Sequence, residues 1–293
     1  MNPTSEPSLT IARTPFTLPM SDGEVIHCDA RYPADSSVKL PVLIFSHGFK
    51  GFKDWGSIPY ICESLAAHGF YVVSFNFSHN GVEGSSTEFT RLDRFQHNTF
   101  SREVRELREV IDGVEAGALP EPERMNADMI GLLGHSRGGG ISILVASADA
   151  RVRALAVWGS VADFNRYSEA QRRRWRENGV FETKNMRTGQ IMRLDVGLLD
   201  DLEQNAEALD IGRAAAKLGK PFLILHGEQD LSVRIEDGQL LASLADPELT
   251  EFERIPKTNH TFGAVHPFEG PNPTLDWAID RTATFFGHNL KPE

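Results

Sequence analysis

Gly134-His135-Ser136-Arg137-Gly138 sets a serine between two glycines, directly after the apolar run Met129-Ile130-Gly131-Leu132-Leu133 and ahead of a helix-like stretch over 136–150. A strand-to-helix turn this sharp strains the serine backbone and presents its hydroxyl at the strand's end, and the flanking glycines leave room for the turn. The helix N-terminus behind it supplies a positive field where negative charge would develop. The chemistry open to such a serine is attack on a carbonyl to form an acyl intermediate. An ordinary Gly/Ser loop is the bland alternative, and the strand before and helix after weigh against it.

That chemistry needs a base, an acid to orient the base, and donors for the oxyanion. His135 adjoins the serine, but a neighbour's side chain points elsewhere in such a turn. His260, in Lys257-Thr258-Asn259-His260-Thr261-Phe262, follows the strand candidate Phe252–Ile255 by five residues and is the expected base, with His266 in reserve. The acid should follow the strand candidate Pro221–Leu225, in His226-Gly227-Glu228-Gln229-Asp230-Leu231-Ser232-Val233. Glu228 and Asp230 both qualify; Asp230 is preferred because it lies deeper in the loop, ahead of an apolar Leu231 able to pack back. A surface-loop histidine and a solvated aspartate are the bland readings. The oxyanion donors are expected to be the backbone N–H groups of Arg137 and of Phe49, in Ser46-His47-Gly48-Phe49-Lys50-Gly51. His47 reads as a buried structural histidine.

The elements that must hold these loops alternate along the chain. Continuous apolar runs at Pro41–Phe45, Phe70–Phe75, Met129–Leu133, Ala154–Trp158 and Pro221–Leu225 suit strands covered on both faces. Helical spacing marks 58–68 (ending at Gly69), 101–114 and 274–286. Leu9–Leu18 and Val25–Tyr32 read as early strands. Strand–helix alternation predicts an α/β fold, a mostly parallel sheet with helices on both faces. Residues 160–218 break the rhythm with a charged helix at 168–177 and a hairpin over 180–194, so they are expected to form a cap inserted into a core of 1–159 and 219–293.

Composition bounds the partners. The chain has 293 residues, a net charge of −11 and two cysteines, Cys28 and Cys62. The charge argues against nucleic-acid and anionic-membrane partners. Two cysteines make no disulfide framework. No apolar run reaches the ~18 residues of a membrane span. Met1–Pro19 lacks the pattern of a secretory signal, so a cytoplasmic location is expected. No His/Cys/Asp/Glu set has metal-ligand spacing, and neither metal nor cofactor is expected. The Arg172-Arg173-Arg174-Trp175-Arg176 run reads first as a solvated helix face and second as a steering patch for an anionic substrate. Trp158 and Trp175 are candidates to line a substrate pocket.

Taken together, the His-Gly loop at 47–48, the serine turn at 134–138, the His-Gly-x-x-Asp loop at 226–230 and His260 resemble the α/β-hydrolase superfamily, in the serine esterases related to dienelactone hydrolases and prolyl-oligopeptidase-like domains. The inserted cap resembles that of bacterial feruloyl (cinnamoyl) esterases. Two departures stand out: dienelactone hydrolases use cysteine where this chain has Ser136, and Asn76-Phe77-Ser78-His79-Asn80-Gly81 lacks the charges of the Asp-x-Arg-Gly-His-Gly turn in many relatives. The resemblance implies an α/β-hydrolase fold and a carboxylesterase acting on a small-molecule ester, with small acyl or aromatic, feruloyl-like groups. Peptidase, amidase or acyl-thioester hydrolysis would use the same residues, and a non-catalytic binding protein is the remaining alternative. A homo-oligomer is left open.

Overall fold

The computed structural model describes residues 10–83 and 88–290. In chain order its strands are β1 (Ile11–Pro19), β2 (Val25–Pro33), β3 (Leu40–Ser46), β4 (Tyr71–Phe75), β5 (Met125–His135), β6 (Val152–Trp158), β7 (Val180–Lys184), β8 (Ile191–Asp195), β9 (Phe222–Gly227) and β10 (Thr250–Ile255). Its helices are α1 (Ile58–Ala67), α2 (Leu92–Gln96), α3 (Phe100–Glu115), α4 (Arg137–Ala148), α5 (Glu169–Asn178), α6 (Gly197–Gln204), α7 (Ile211–Ala216), α8 (Ile235–Leu244) and α9 (Pro273–Asn289). Eight strands form one sheet in the order β1-β2-β4-β3-β5-β6-β9-β10. The strands from β4 to β10 run parallel, and β1 and β2 form an antiparallel edge.

The apolar runs are continuous because alternate residues serve two different cores. In β3, Leu43 and Phe45 pack with α1 and α9, whereas Val42 and Ile44 face the layer of α3, α4, α7 and α8. On the outer edge, β1 has no second layer to bury it, and its exposed and half-buried positions alternate. The sequence-predicted helices all form. Four others, α2, α6, α7 and α8, carry too few or too weakly patterned apolar residues to be read from the sequence; α8 even holds Gly238. None of the described helices is long and apolar enough to cross a membrane.

Neighbouring strands β3 and β5 send their connections to opposite faces, β3 to α1 and β5 to α4. Their carboxyl ends therefore part and leave a crevice, the place where open α/β sheets bind ligands.

Between β6 and β9 the chain leaves the sheet. Helix α5 opens with a full capping box, Ser168 with Gln171. The predicted hairpin is β7–β8, closed by Asn185, whose side-chain oxygen accepts the Arg187 and Thr188 amides. It is tied to the core through Gln190 to the Phe89 carbonyl, 3.0 Å, and Lys50 to Thr183 and Lys184. Helix α7 lies with α4 and α8 on the sheet, where a Cβ on Gly140 would come within 2.7 Å of Ile211.

A buried carboxylate supports the turn after β4. Glu106, on α3, accepts from both the amide (2.9 Å) and the hydroxyl of Ser78, and the same hydroxyl meets His79 Nδ1 at 2.8 Å. Burial drives the Glu106 carboxyl up to about 7, although the Ser78 bonds and Arg102 oppose it. An acid held above its unfolded value binds its proton more tightly when folded, so this group costs stability progressively as pH rises from about 4.3 to about 7. Glu106→Gln mimics the protonated form. Its Tm relative to wild type is expected to rise by roughly 2–4 °C between pH 5 and pH 8 in thermal melts. Parallel melting curves across that range would refute the assignment.

Candidate active site

Ser136 sits between β5 and α4 with φ 57° and ψ −121°, a conformation that an L-residue adopts only when its surroundings enforce it. Gly138 is part of the enforcement: a Cβ there would lie 2.3 Å from the Ser46 carbonyl oxygen, so only glycine lets the start of α4 abut the end of β3. The Arg137 and Gly138 amides open α4, where N–H groups have no partner within the helix.

His260 Nδ1 donates to Asp230 Oδ2 at 2.6 Å. The other carboxylate oxygen, Oδ1, accepts the amides of Ser232 (2.8 Å) and Val233 (2.9 Å). Burial alone would raise Asp230, but the His260 bond and charge, with the two amides, outweigh it and hold the carboxyl below its ordinary value. Its side chain is fully buried. The packing expected of Leu231 does not occur: that side chain is 97% exposed, and Val233 turns inward instead. Two amides and a histidine, rather than an apolar neighbour, fix the acid. Glu228 pairs with Arg254 at 3.0 Å on the surface.

The loop after β3 closes on the serine from the other side. A Cβ on Gly48 would sit 2.9 Å from the Ser136 Cβ, which measures how near the two backbones come. His47 pins the loop as a buried group: Nδ1 donates to the Gly48 carbonyl at 2.9 Å and Nε2 accepts from the Phe77 amide at 3.3 Å. The acceptor role of Nε2 requires the neutral ring, and burial lowers its pKa to about 4. Phe49 packs against Phe95 at 5.5 Å, and the Arg137 guanidinium lies 4.2 Å above the Phe49 ring and 4.8 Å from Phe100. Arg137 Nη1 meets buried Glu103 at 3.5 Å.

Ser136, His260 and Phe49 all line one cavity of about 400 Å³. The α1 side contributes Trp55 and Ile58, and the hairpin tip contributes Asn185, Met186 and Arg187. His266 also lines it, but its Nδ1 accepts the Gly56 amide at 2.7 Å and its ring stacks on Trp55, so it serves the wall. His135, which the sequence reading set aside, has a holding part: its Nε2 donates to the His260 carbonyl at 2.9 Å. Burial, then the neighbouring His260, lowers the His135 ring to about 3 and keeps it neutral.

Neither expected pocket residue lines that cavity, although Trp158 borders a small one of about 30 Å³ behind Trp55, Ile58 and His135. Trp158 points into the α9 layer, donating Nε1 to Thr282 at 3.0 Å and packing on Phe262 at 4.8 Å. Side chains alternate along β6, and this one falls on the face away from α4. Trp175 turns into the inserted segment's own core against Tyr167 and Phe181, because burying its ring there gains more than hanging over a cavity. The arginines around it stay at the surface; Arg176 pairs with Asp200 (2.9 Å) and Glu203 (2.8 Å). Trp55 and Ile58, and the side chains of the hairpin tip, belong to no motif, so nothing in the sequence marked them as cavity lining.

Known proteins share this fold. No curated protein sequence matches the chain. Among solved structures it is similar to an esterase domain of a Rhodothermus marinus protein, at 18% identity over 97% of this chain and 100% of that one, TM-score 0.64. It is similar to Est1E from Butyrivibrio proteoclasticus with ferulic acid bound, at 19% identity over 94% and 99%, TM-score 0.70. It is also similar to the alpha/beta hydrolase GrgF from a Penicillium species, at 18% over 95% and 99%, TM-score 0.69. The pattern of the alpha/beta hydrolase family matches residues 43–271, from the strand that carries the Gly48 loop to beyond His260, and the chain therefore belongs to that family.

Proposed function

We propose that the protein is a serine hydrolase of carboxylic esters in which Ser136 is the nucleophile, His260 the base and Asp230 its orienting acid. The observation that carries this reading is the strained Ser136 and the Asp230-held His260 opening into one cavity beneath the Gly48–Gly51 loop. His260 takes the Ser136 proton as Oγ attacks the ester carbonyl. The Phe49 and Arg137 amides receive the oxyanion. His260 then protonates the departing alcohol, leaving the acyl group on Oγ; water attacks that acyl-enzyme with His260 again as base, and the acid leaves. The esterase neighbours support ester hydrolysis in general. The inserted segment is read as a cap made of α5, the β7–β8 hairpin and α6, with α7 belonging to the core layer.

The test is turnover of short p-nitrophenyl esters together with labelling by a fluorophosphonate. Ester turnover with a label on Ser136 is expected. Absence of both would refute the reading and favour a binding protein. Faster turnover of a p-nitroanilide or an acyl thioester than of the ester would reassign the substrate while keeping the residues.

The side-chain contact between the two oxyanion residues yields a further expectation. Arg137 lies over the Phe49 ring, so one donor residue holds the other. Arg137→Met removes a cation–π contact worth about 1–2 kcal/mol. It is expected to lower kcat about tenfold with KM changed less than about twofold, because an oxyanion contact acts mainly in the transition state. Unchanged kcat in initial-rate measurements would dismiss the clamp.

A further inference from the structure

Lys50, next to Phe49 in the loop over Ser136, is half-buried, and its Nζ donates to Thr183 Oγ1 at 2.9 Å and to the Lys184 carbonyl at 3.0 Å. Both acceptors are neutral. Among the described residues Lys50 forms no ion pair, whereas Lys53, three positions on, is held by Asp29 at 2.9 Å and Asp54 at 2.6 Å. An ammonium has three N–H donors; two go to the hairpin, and beyond them the Nζ has only the Phe49 ring, 5.3 Å to its centre, which carries no negative charge. Burial lowers the Lys50 pKa, with no opposing carboxylate. A desolvated cation without a counter-ion is costly, and in a chain of net charge −11 carboxylates are abundant.

Lys50 also lines the cavity, and among the described residues that line it there is no Asp or Glu. Its α1 side, by contrast, is walled by Trp55 and Ile58. The lining is thus cationic toward the hairpin and apolar toward α1, with Ser136 opening into the same space.

We propose that the substrate is an ester bearing a second, anionic group, a carboxylate, which the Lys50 ammonium receives on the hairpin side while the apolar part packs against Trp55 and Ile58. This rests on the hydrolase reading above. A charge-assisted hydrogen bond is shorter and about twice as strong as a neutral one, and the partial burial of Lys50 strengthens it further. The carboxylate can belong to the acyl part or to the alcohol part, and matched pairs separate the two.

In the acyl arm, mono-p-nitrophenyl adipate is compared with p-nitrophenyl hexanoate. In the alcohol arm, the butyrate ester of 4-hydroxybutanoate is compared with pentyl butyrate by titration of released acid. The charged member is expected to have a kcat/KM at least about tenfold higher in one arm, with that preference shrinking as NaCl is added. In Lys50→Gln the charged-to-neutral ratio is expected to fall to about one. A wild-type ratio at or below one in both arms overturns the proposal while turnover of the neutral esters leaves the hydrolase reading standing. A high ratio that survives in Lys50→Gln overturns the assignment to Lys50. Lack of turnover of every ester, with no fluorophosphonate label, takes down the hydrolase reading and this proposal together. The wild-type ratio and its salt dependence decide the matter even if Lys50→Gln does not fold.

Discussion

Ser136→Ala is expected to lower kcat on an activated ester by about 10⁵–10⁶, with no loss of Tm. In the proposed mechanism the hydroxyl is the atom that bonds to the acyl group, so nothing else in the cavity would replace it. Alanine meets the same backbone strain at φ 57° as serine does, and the fold should survive. His260→Ala is expected to cost about as much, and the double variant no more than either alone, because the proposed base and nucleophile would act as one unit. The residual rate over water would come from the amides and from substrate binding. Initial rates for the two single variants and the double variant, with fluorophosphonate labelling as a second readout, decide this. Near wild-type turnover in Ser136→Ala, or losses that multiply in the double variant, would each remove the proposed roles.

Asp230→Asn is the next largest, with an expected loss of about 10⁴ in kcat. The reason is tautomeric. Asp230 accepts three hydrogen bonds, one from His260 Nδ1 and two from the Ser232 and Val233 amides. An asparagine that keeps its oxygen toward the two amides must turn its NH₂ group toward Nδ1. That ring nitrogen then has to accept, which places the proton on Nε2, and the ring no longer takes a proton from serine. The carboxyl is held below its ordinary value, so the stabilisation from its bonds is complete above about pH 4 and is lost only as pH falls through its lower folded-state value. Stability measured from pH 7 down should therefore show the Asp230 contribution disappearing only in strong acid. A kcat in Asp230→Asn within tenfold of wild type would show that His260 is oriented by something else. The nearest alternative is His135, which already holds the His260 carbonyl.

The residues differ in how far they could be read from the chain. Ser136 was legible because its turn demands glycines on both sides and a strand before it, and those demands leave a five-residue trace. The central strands were legible because a strand covered on both faces must be apolar throughout. His260 and Asp230 followed from loop order, since side chains at the carboxyl ends of parallel strands converge. Asp230 was preferred for the packing of Leu231, which the structure places in solvent; the two amides that hold the carboxylate are backbone groups and leave no mark in residue types. Helices α6, α7 and α8 escaped because their apolar faces are short and acquire meaning only against the sheet and the inserted segment.

By itself, the sequence determined the parallel sheet, the serine turn and the order of the loops, because each depends on local backbone demands or on a periodicity that residues record directly. The tertiary structure alone decided which surfaces enclose the serine. Trp158 and Trp175 belong to other layers, since the face a side chain takes depends on what packs against it. The cavity wall is assembled from the loop after β3, the hairpin tip and the segment 260–266, separated by more than a hundred residues at the widest. Lys50 stands beside Thr183 only because β3 and the insertion meet over the same strand ends. Proximity of that kind is a sum of packing choices along the whole chain, and no local pattern contains it.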